Sequence, residues 1–168
     1  MNNLKNFKEF KITINESSNL TSDFDQEFLD VEVHKFTIEE LKSNIEEFDD
    51  SDEESEWLED GDNLLNYQTK EIMDKYNLDT IYYVGEDDGS YVFEDMIDTL
   101  NFNYIESIYL TNIDGEDTCK VYEYEGGRIM KATIEGGFQS DMIVIYFDET
   151  FYNINIMKSL RSINKFKL

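Results

Sequence analysis

Residues 119–147 are CKVYEYEGGRIMKATIEGGFQSDMIVIYF, a stretch made of three strand-like segments and two glycine pairs. The segments CKVYEYE, RIMKATIE and DMIVIYF are rich in the β-branched and aromatic residues that favour strands. The pairs Gly126-Gly127 and Gly136-Gly137 separate them, and glycines at such positions are typical of tight hairpin turns. This stretch therefore predicts an antiparallel sheet.

The chain upstream predicts two more strands and a helix. Residues 7–14 and 29–33 alternate apolar with polar side chains, as half-buried strands do, and His34 then falls on the polar face. A helix begins at Thr37, because Thr37 and Glu40 have the spacing of a capping box. The apolar stripe of this helix consists of Ile38, Leu41, Ile45 and Phe48.

The middle of the chain predicts further helices and a crossover between strands. One helix begins at Gly61 or Asp62 and ends near Asn77. The strand TIYYV, which starts at Thr80, is followed by a GEDDGS turn, the helix YVFEDMIDTL and the strand YIESIYLT. We expect Ser90 to cap that helix.

The C-terminal region has two interpretations. Residues 150–157 fit either a final strand or the start of a helix that runs to about Asn164. Neither an internal repeat nor a linker divides residues 1–168. We therefore expect a single α+β domain, with a largely antiparallel sheet and three or four helices packed on it.

An acidic run dominates the middle of the chain. Residues 39–62, EELKSNIEEFDDSDEESEWLEDGD, contain thirteen carboxylates and one base, Lys42. Like charges at this density repel each other and are costly to bury, so the run is expected at the surface as a helix face followed by a mobile loop over residues 49–62. Trp57 and Leu58 are embedded in it, although a purely solvating segment has little use for a tryptophan.

The net charge indicates the class of partner. The chain carries 39 acids against 14 bases, a formal charge of −25. Such a chain repels nucleic acid and anionic membrane surfaces and attracts basic proteins, with association rates that fall as salt screens the field. A basic protein is therefore the expected partner, and direct binding to nucleic acid or membrane is disfavoured.

The sequence offers little support for catalysis or for a designed metal site. A Cys–His dyad would need His34 and Cys119, the only residues of their types, and no local pattern activates either one. Counting back from Gly61, Gly89 or Gly115 places an apolar residue where a calcium loop needs an acid. We therefore expect no enzymatic activity, no cofactor and no metal site beyond loose binding of divalent cations to the acidic run.

Two features indicate the compartment. A single cysteine permits no internal disulfide, which is usual for proteins of a reducing cytoplasm. The first ten residues, MNNLKNFKEF, lack the apolar segment of a signal peptide. We expect a cytoplasmic protein.

These observations favour an inhibitor that binds a basic nucleic-acid-processing protein and occupies its cationic groove. Duplex DNA presents one charge per ~1.7 Å of axis, and acids at helical spacing lie ~5 to 6 Å apart, so an acidic helix has a comparable anionic density. The predicted partner-binding residues are Glu46, Glu47, Asp49, Asp50, Asp52, Glu53, Glu54, Glu56, Trp57, Glu59 and Asp60. A secondary set consists of Glu86, Asp87, Asp88, Glu94, Asp95 and Asp98.

In composition and size the chain resembles phage and plasmid counter-defence proteins that mimic nucleic acid, such as anti-CRISPR and anti-restriction inhibitors. The resemblance implies a nuclease or defence complex as the partner. Two alternatives remain open at this point: an immunity protein that neutralises a basic nuclease toxin, and an acidic adaptor module without inhibitory activity.

Overall fold

The computed structural model describes residues 31–113, 115–135 and 142–157. The strand predicted at residues 7–14, the turn at Gly136-Gly137 and the C-terminal helix beyond residue 157 lie outside these ranges. Where the second predicted strand enters the described region, residues 31–33 are not in a strand, and the first strand within that region begins at His34 instead.

The described residues form one sheet of six strands in which every neighbouring pair is antiparallel. The strands are β1 (His34–Thr37), β2 (Thr80–Val84), β3 (Asn103–Asn112), β4 (Gly115–Tyr124), β5 (Gly127–Ile134) and β6 (Met142–Phe147). Their spatial order is β1-β2-β6-β5-β4-β3. The predicted crossover is present, because β2 and β3 run in the same direction with three strands between them.

The helices complete an α+β fold, as predicted. They are α1 (Ile38–Asn44), α2 (Ser51–Leu58), α3 (Gly61–Tyr76), α4 (Ser90–Thr99) and the single turn α5 (Glu149–Phe151). A 3₁₀ turn covers Glu86–Asp88, and a π-helix, Tyr152–Met157, follows α5. Residues 150–157, for which strand and helix were both open, are helical. The described part of the chain thus has one α-helix more than the three or four expected.

Local capping chemistry fixes the starts of helices α1, α2 and α3. Thr37 and Glu40 form the predicted capping box at α1. Asp50 caps α2, so the expected acidic loop contains a helix of eight residues. Asp60 caps α3, which ends at Asn77 in the left-handed conformation, with φ of 55°. Helix α1 is shorter than its apolar stripe suggested, because the backbone is extended at Ile45.

The prediction that Ser90 caps α4 is wrong. Gly89 occupies the N-cap position with φ of 104°, and no side chain caps the helix. The 3₁₀ turn ends at Gly89, whose backbone is in the left-handed conformation. Glycine adopts this conformation readily because it has no Cβ. Ser90 is therefore the first helical residue, and it is buried.

Strand β6 lies inside the sheet and is covered on both faces. Ile145 and Phe147 belong to a core cluster with Val92 and Phe93 of α4. Tyr146, on the opposite face, belongs to a second cluster that includes buried residues of α1, α2 and α3. A strand buried on both faces has a nearly continuous apolar sequence, which explains MIVIYF. The acidic run thus lies on one face of the sheet and α4 on the other.

The hairpin between β4 and β5 differs in detail from the prediction. Tyr124 pairs with Gly127, so the two turn residues are Glu125 and Gly126, both with positive φ. This is the backbone of a type I′ turn. Gly127 is the first residue of β5 and lies against the backbone of Phe151. None of the helices in the described ranges has the length and apolar character needed to cross a membrane.

Candidate partner-binding surface

The carboxylates of the acidic run are displayed at the surface. Of the ten that were predicted to bind a partner, nine are exposed and Glu54 is half-buried. Helix α2 carries four of them, Asp52, Glu53, Glu54 and Glu56, within eight residues. The structure therefore brings the primary set together on and beside one short helix.

Two of these acids are also used by the fold. The Asp50 carboxylate accepts a hydrogen bond from the backbone N–H of Asp52 at 2.8 Å. The Asp60 carboxylate accepts from the N–H groups of Asp62 and Asn63 at 2.9 and 3.3 Å. A helix cap of this kind contributes about 1 kcal/mol. Asp50 and Asp60 therefore start α2 and α3 in addition to any role in binding.

Trp57 has a packing role that the sequence prediction did not include. Its side chain is half-buried against the core cluster beneath α1–α3, and its ring centre lies 5.9 Å from that of Phe48. The following residue, Leu58, is a core residue with 4% exposure. Because the ring supports the fold, its use as an apolar anchor for a partner stays a prediction.

A cleft of about 670 Å³ lies between α1, the segment that follows it, α2 and α3. Five carboxylates and two amines contribute to its walls, together with the rings of Phe48 and Tyr67. The lining residues are Lys42, Ile45, Glu46, Glu47, Phe48, Glu54, Tyr67, Lys70, Glu71 and Asp74. The cleft thus combines an excess of negative charge with two aromatic rings.

The electrostatic environment of Tyr67 reflects this arrangement. Burial raises the pKa of the Tyr67 hydroxyl, and the carboxylates of Glu54 and Glu71 raise it further, while Lys70 opposes them. The hydroxyl therefore stays protonated near neutral pH and is available as a hydrogen-bond donor or acceptor. The same negative potential favours a cation in the cleft.

A second cleft, of about 460 Å³, adjoins the first and extends the surface to the edge of the sheet. Glu71 and Asp74 line both clefts. The far wall of the second is strand β3, where Glu106 and Tyr109 contribute, and the Tyr109 ring is 65% exposed. These residues were missed because they are distant in sequence from the acidic run. Tyr104 and Ile105 of β3 are also exposed.

The secondary set does not join this surface. Helix α4 packs on the opposite face of the sheet, and one of its acids, Glu94, pairs with the Lys131 amine at 3.3 Å. Asp88 is half-buried, and its carboxylate lies 2.9 Å from Nε2 of His34. The exposed members are Glu86, Asp87, Asp95 and Asp98. None of the six residues of the secondary set lines either cleft.

Comparisons with protein-family models, with curated proteins and with solved structures find no significant match to this chain. The function is therefore inferred from the geometry and charge of its own residues. Carboxylates beside half-buried aromatic rings are suited to binding cationic groups, since both attract positive charge.

Proposed function

We propose that the protein is an acidic inhibitor that binds a basic nucleic-acid-processing protein and occupies its cationic groove as a nucleic-acid mimic. The partner is a nuclease or defence complex of the kind countered by anti-CRISPR and anti-restriction proteins. The observation that carries this proposal is the cleft in which Glu46, Glu47 and Glu54 stand beside the rings of Phe48 and Tyr67.

The cleft suits the side chains that line nucleic-acid-binding grooves. An arginine or lysine head group entering it meets carboxylates that form charge-assisted hydrogen bonds and ring faces that give cation–π contacts. Its volume of about 670 Å³ falls within the range of about 300–1,000 Å³ common for small-molecule sites, which is ample for one such head group. Arginine gains most, because its planar fork pairs with carboxylates through two hydrogen bonds.

The charge spacing on α2 supports mimicry of nucleic acid. Eight helical residues span about 12 Å, and Ser51–Leu58 carries four acids, which is one charge per about 3 Å. Duplex DNA has one per about 1.7 Å of axis. The two densities agree within a factor of about two, and the acids that precede and follow α2 extend the charged surface.

Under this proposal the protein acts in the cytoplasm by occupying the cationic groove of its partner, and it has no catalytic activity of its own. The two alternatives bind through the same surface. An immunity protein would recognise a nuclease toxin, whereas an adaptor would leave the activity of its partner unchanged.

The direct test is competition between the partner's nucleic acid and this surface. The immobilised chain is incubated with nucleic-acid-free lysate, and bound protein is eluted with duplex DNA, with RNA or with increasing salt. We expect elution by nucleic acid and a marked loss of binding as NaCl rises to about 0.5 M. A partner that resists both treatments would contradict mimicry. Nuclease assays of the captured protein then separate an adaptor, which leaves the activity unchanged, from an inhibitor or an immunity protein, and the identity of the captured protein as a defence nuclease or a toxin separates these two.

A matched pair of variants localises the binding. The surface variant changes Glu46, Glu47, Glu54 and Glu56 to Gln, and the control variant changes Glu116, Glu123, Glu135 and Glu149 to Gln. Both remove four negative charges, but only the first removes charge from the cleft. The proposal requires the surface variant to lose the partner and the control variant to keep it. Equal losses in both would indicate that only the total charge matters.

A further inference from the structure

His34 and two carboxylates meet at a place that is separate from the acidic cleft. One oxygen each from Glu32 and Asp88 and one ring nitrogen from His34 lie within 4.8 Å of one another. Nε2 of His34 is 2.9 Å from Oδ2 of Asp88 and 4.0 Å from Oε2 of Glu32. Glu32 precedes β1, His34 is the first residue of β1, and Asp88 is the last residue of the 3₁₀ turn that follows β2.

The backbone and a neighbouring ring hold this arrangement in place. The N–H of Glu32 donates to the carbonyl of Asp88 at 2.9 Å, so the two segments are joined beside the side chains. His34 pairs with Tyr83 across β1 and β2, and the two rings stack with centres 4.9 Å apart. The imidazole is therefore oriented by strand pairing and by stacking, with its side chain 35% exposed.

The donor set matches that of a divalent transition metal. An imidazole nitrogen and two carboxylate oxygens bind such an ion at about 2.0–2.2 Å, which places ligand atoms about 3 to 3.5 Å apart. The observed separations of 2.9 and 4.0 Å lie on either side of this range. Glu32, with 71% of its side chain exposed, is free to move the small distance required. Two carboxylates also balance the charge of the ion.

We propose that Glu32, His34 and Asp88 form a binding site for a divalent transition-metal ion, with Zn²⁺ as the representative ion. Three protein ligands leave at least one coordination position for water or for a side chain of a bound protein. This proposal differs from the sequence-based expectation that the chain has no specific metal site. It does not depend on the proposed inhibitory function, because none of its residues lines the cleft.

The single histidine of the chain makes the test direct. The full-length protein is titrated with Zn²⁺ in a large excess of Mg²⁺, which occupies the acidic surface loosely. Calorimetry measures stoichiometry, and NMR follows the ring signals of His34. We expect one Zn²⁺ per chain, a Kd below about 10 μM, and a shift of the imidazole signals that is complete at one equivalent.

Variants separate this site from the general negative charge. His34→Ala and Asp88→Asn are expected to weaken Zn²⁺ binding by about tenfold or more. Asp87→Asn, which neutralises the exposed neighbour of Asp88 in the same turn, is the matched control and should bind as the wild type does. Far-UV circular dichroism confirms that each variant is folded. Zn²⁺ uptake with unmoved His34 signals, or equal loss in Asp87→Asn, would overturn the proposal.

Discussion

At the scale of single residues, Gly127 is the clearest case in which one atom decides the packing. A Cβ placed on Gly127 would collide with the backbone nitrogen of Phe151 and lie 2.5 Å from its Cα. The nearest atoms of Phe151 belong to its backbone, so no flexible side chain can move away to make room. The glycine thus allows the turn α5 to lie directly on strand β5.

We predict that Gly127→Ala lowers the free energy of unfolding by about 2 to 3 kcal/mol or more, as overpacking of a core does. Gly85→Ala is the control, because a Cβ there meets only the Asp88 carboxylate at an ordinary 3.5 Å and the backbone needs no positive φ. The control should change stability by less than about 1 kcal/mol. Urea denaturation of both variants measures the difference, and equal stabilities would refute the close contact.

At the scale of elements, a buried carboxylate joins three of them. Asp117 of β4 is 1% exposed. Its Oδ2 accepts from the side-chain amides of Gln68 in α3 and Asn112 in β3, at 2.7 and 2.8 Å. Its Oδ1 accepts from the backbone N–H of Glu135, just after β5, at 3.0 Å. All three partners are donors, so the site requires an acceptor at both oxygens.

Asp117→Asn tests this requirement with almost no change in shape. The new amide group must face at least one of the donors, so a buried N–H loses its acceptor at a cost of about 1 to 3 kcal/mol. The neighbouring Glu116→Gln is the control, since that side chain is exposed. Thermal unfolding followed by circular dichroism compares the two. A loss no larger than that of Glu116→Gln would mean that the network contributes little to stability.

A further prediction at this scale concerns the stability and the partner affinity of variants in helix α2 and its surroundings. The surface variant should be at least as stable as the wild type, because it reduces repulsion and leaves the caps Asp50 and Asp60 intact. Each single substitution should cost on the order of 1 kcal/mol or less in binding. Paired melting and affinity measurements give both quantities, and unfolding of the surface variant would show that these acids are structural.

Trp57 needs a different substitution, because its ring packs against Phe48 and the core. Trp57→Ala should lower stability by up to about 3 kcal/mol, since the ring is only half-buried, so weaker binding by that variant alone does not identify an anchor. Trp57→Phe keeps most of the apolar packing. If Trp57 contacts the partner, Trp57→Phe lowers the affinity while the melting temperature changes little. Normal affinity in Trp57→Phe would assign the ring to the fold.

At the scale of the whole molecule, the net charge of −25 predicts opposite effects of salt on folding and on binding. Self-repulsion destabilises the compact state, and the Debye length falls from about 30 Å at 0.01 M salt to about 10 Å at 0.1 M. We therefore expect the melting temperature to rise with NaCl over this range while the affinity for a basic partner falls. A melting temperature that falls with salt would show that favourable ion pairs outweigh the repulsion.

The sequence by itself determined the features that depend on neighbours along the chain. Segments rich in β-branched and aromatic residues, separated by turn residues, marked the strands from Thr80 to Phe147 within the described ranges, and the Thr37–Glu40 spacing marked the start of α1. The charge of the acidic run required exposure, and nine of its ten predicted carboxylates are exposed. Hydrogen-bond caps and hydrophobic periodicity involve only a few neighbouring residues, so they can be recognised from the sequence alone.

Only the tertiary structure decided which distant residues meet. Asp88 reaches His34 across 54 positions because β1 pairs with β2. Glu71 and Asp74 join the acidic cleft because α3 packs beside α1 and α2, and Gly127 needs its missing Cβ because α5 lies on β5. These proximities follow from the strand order and from helices on both faces of the sheet, which are set by the burial of the whole apolar surface and not by any local pattern.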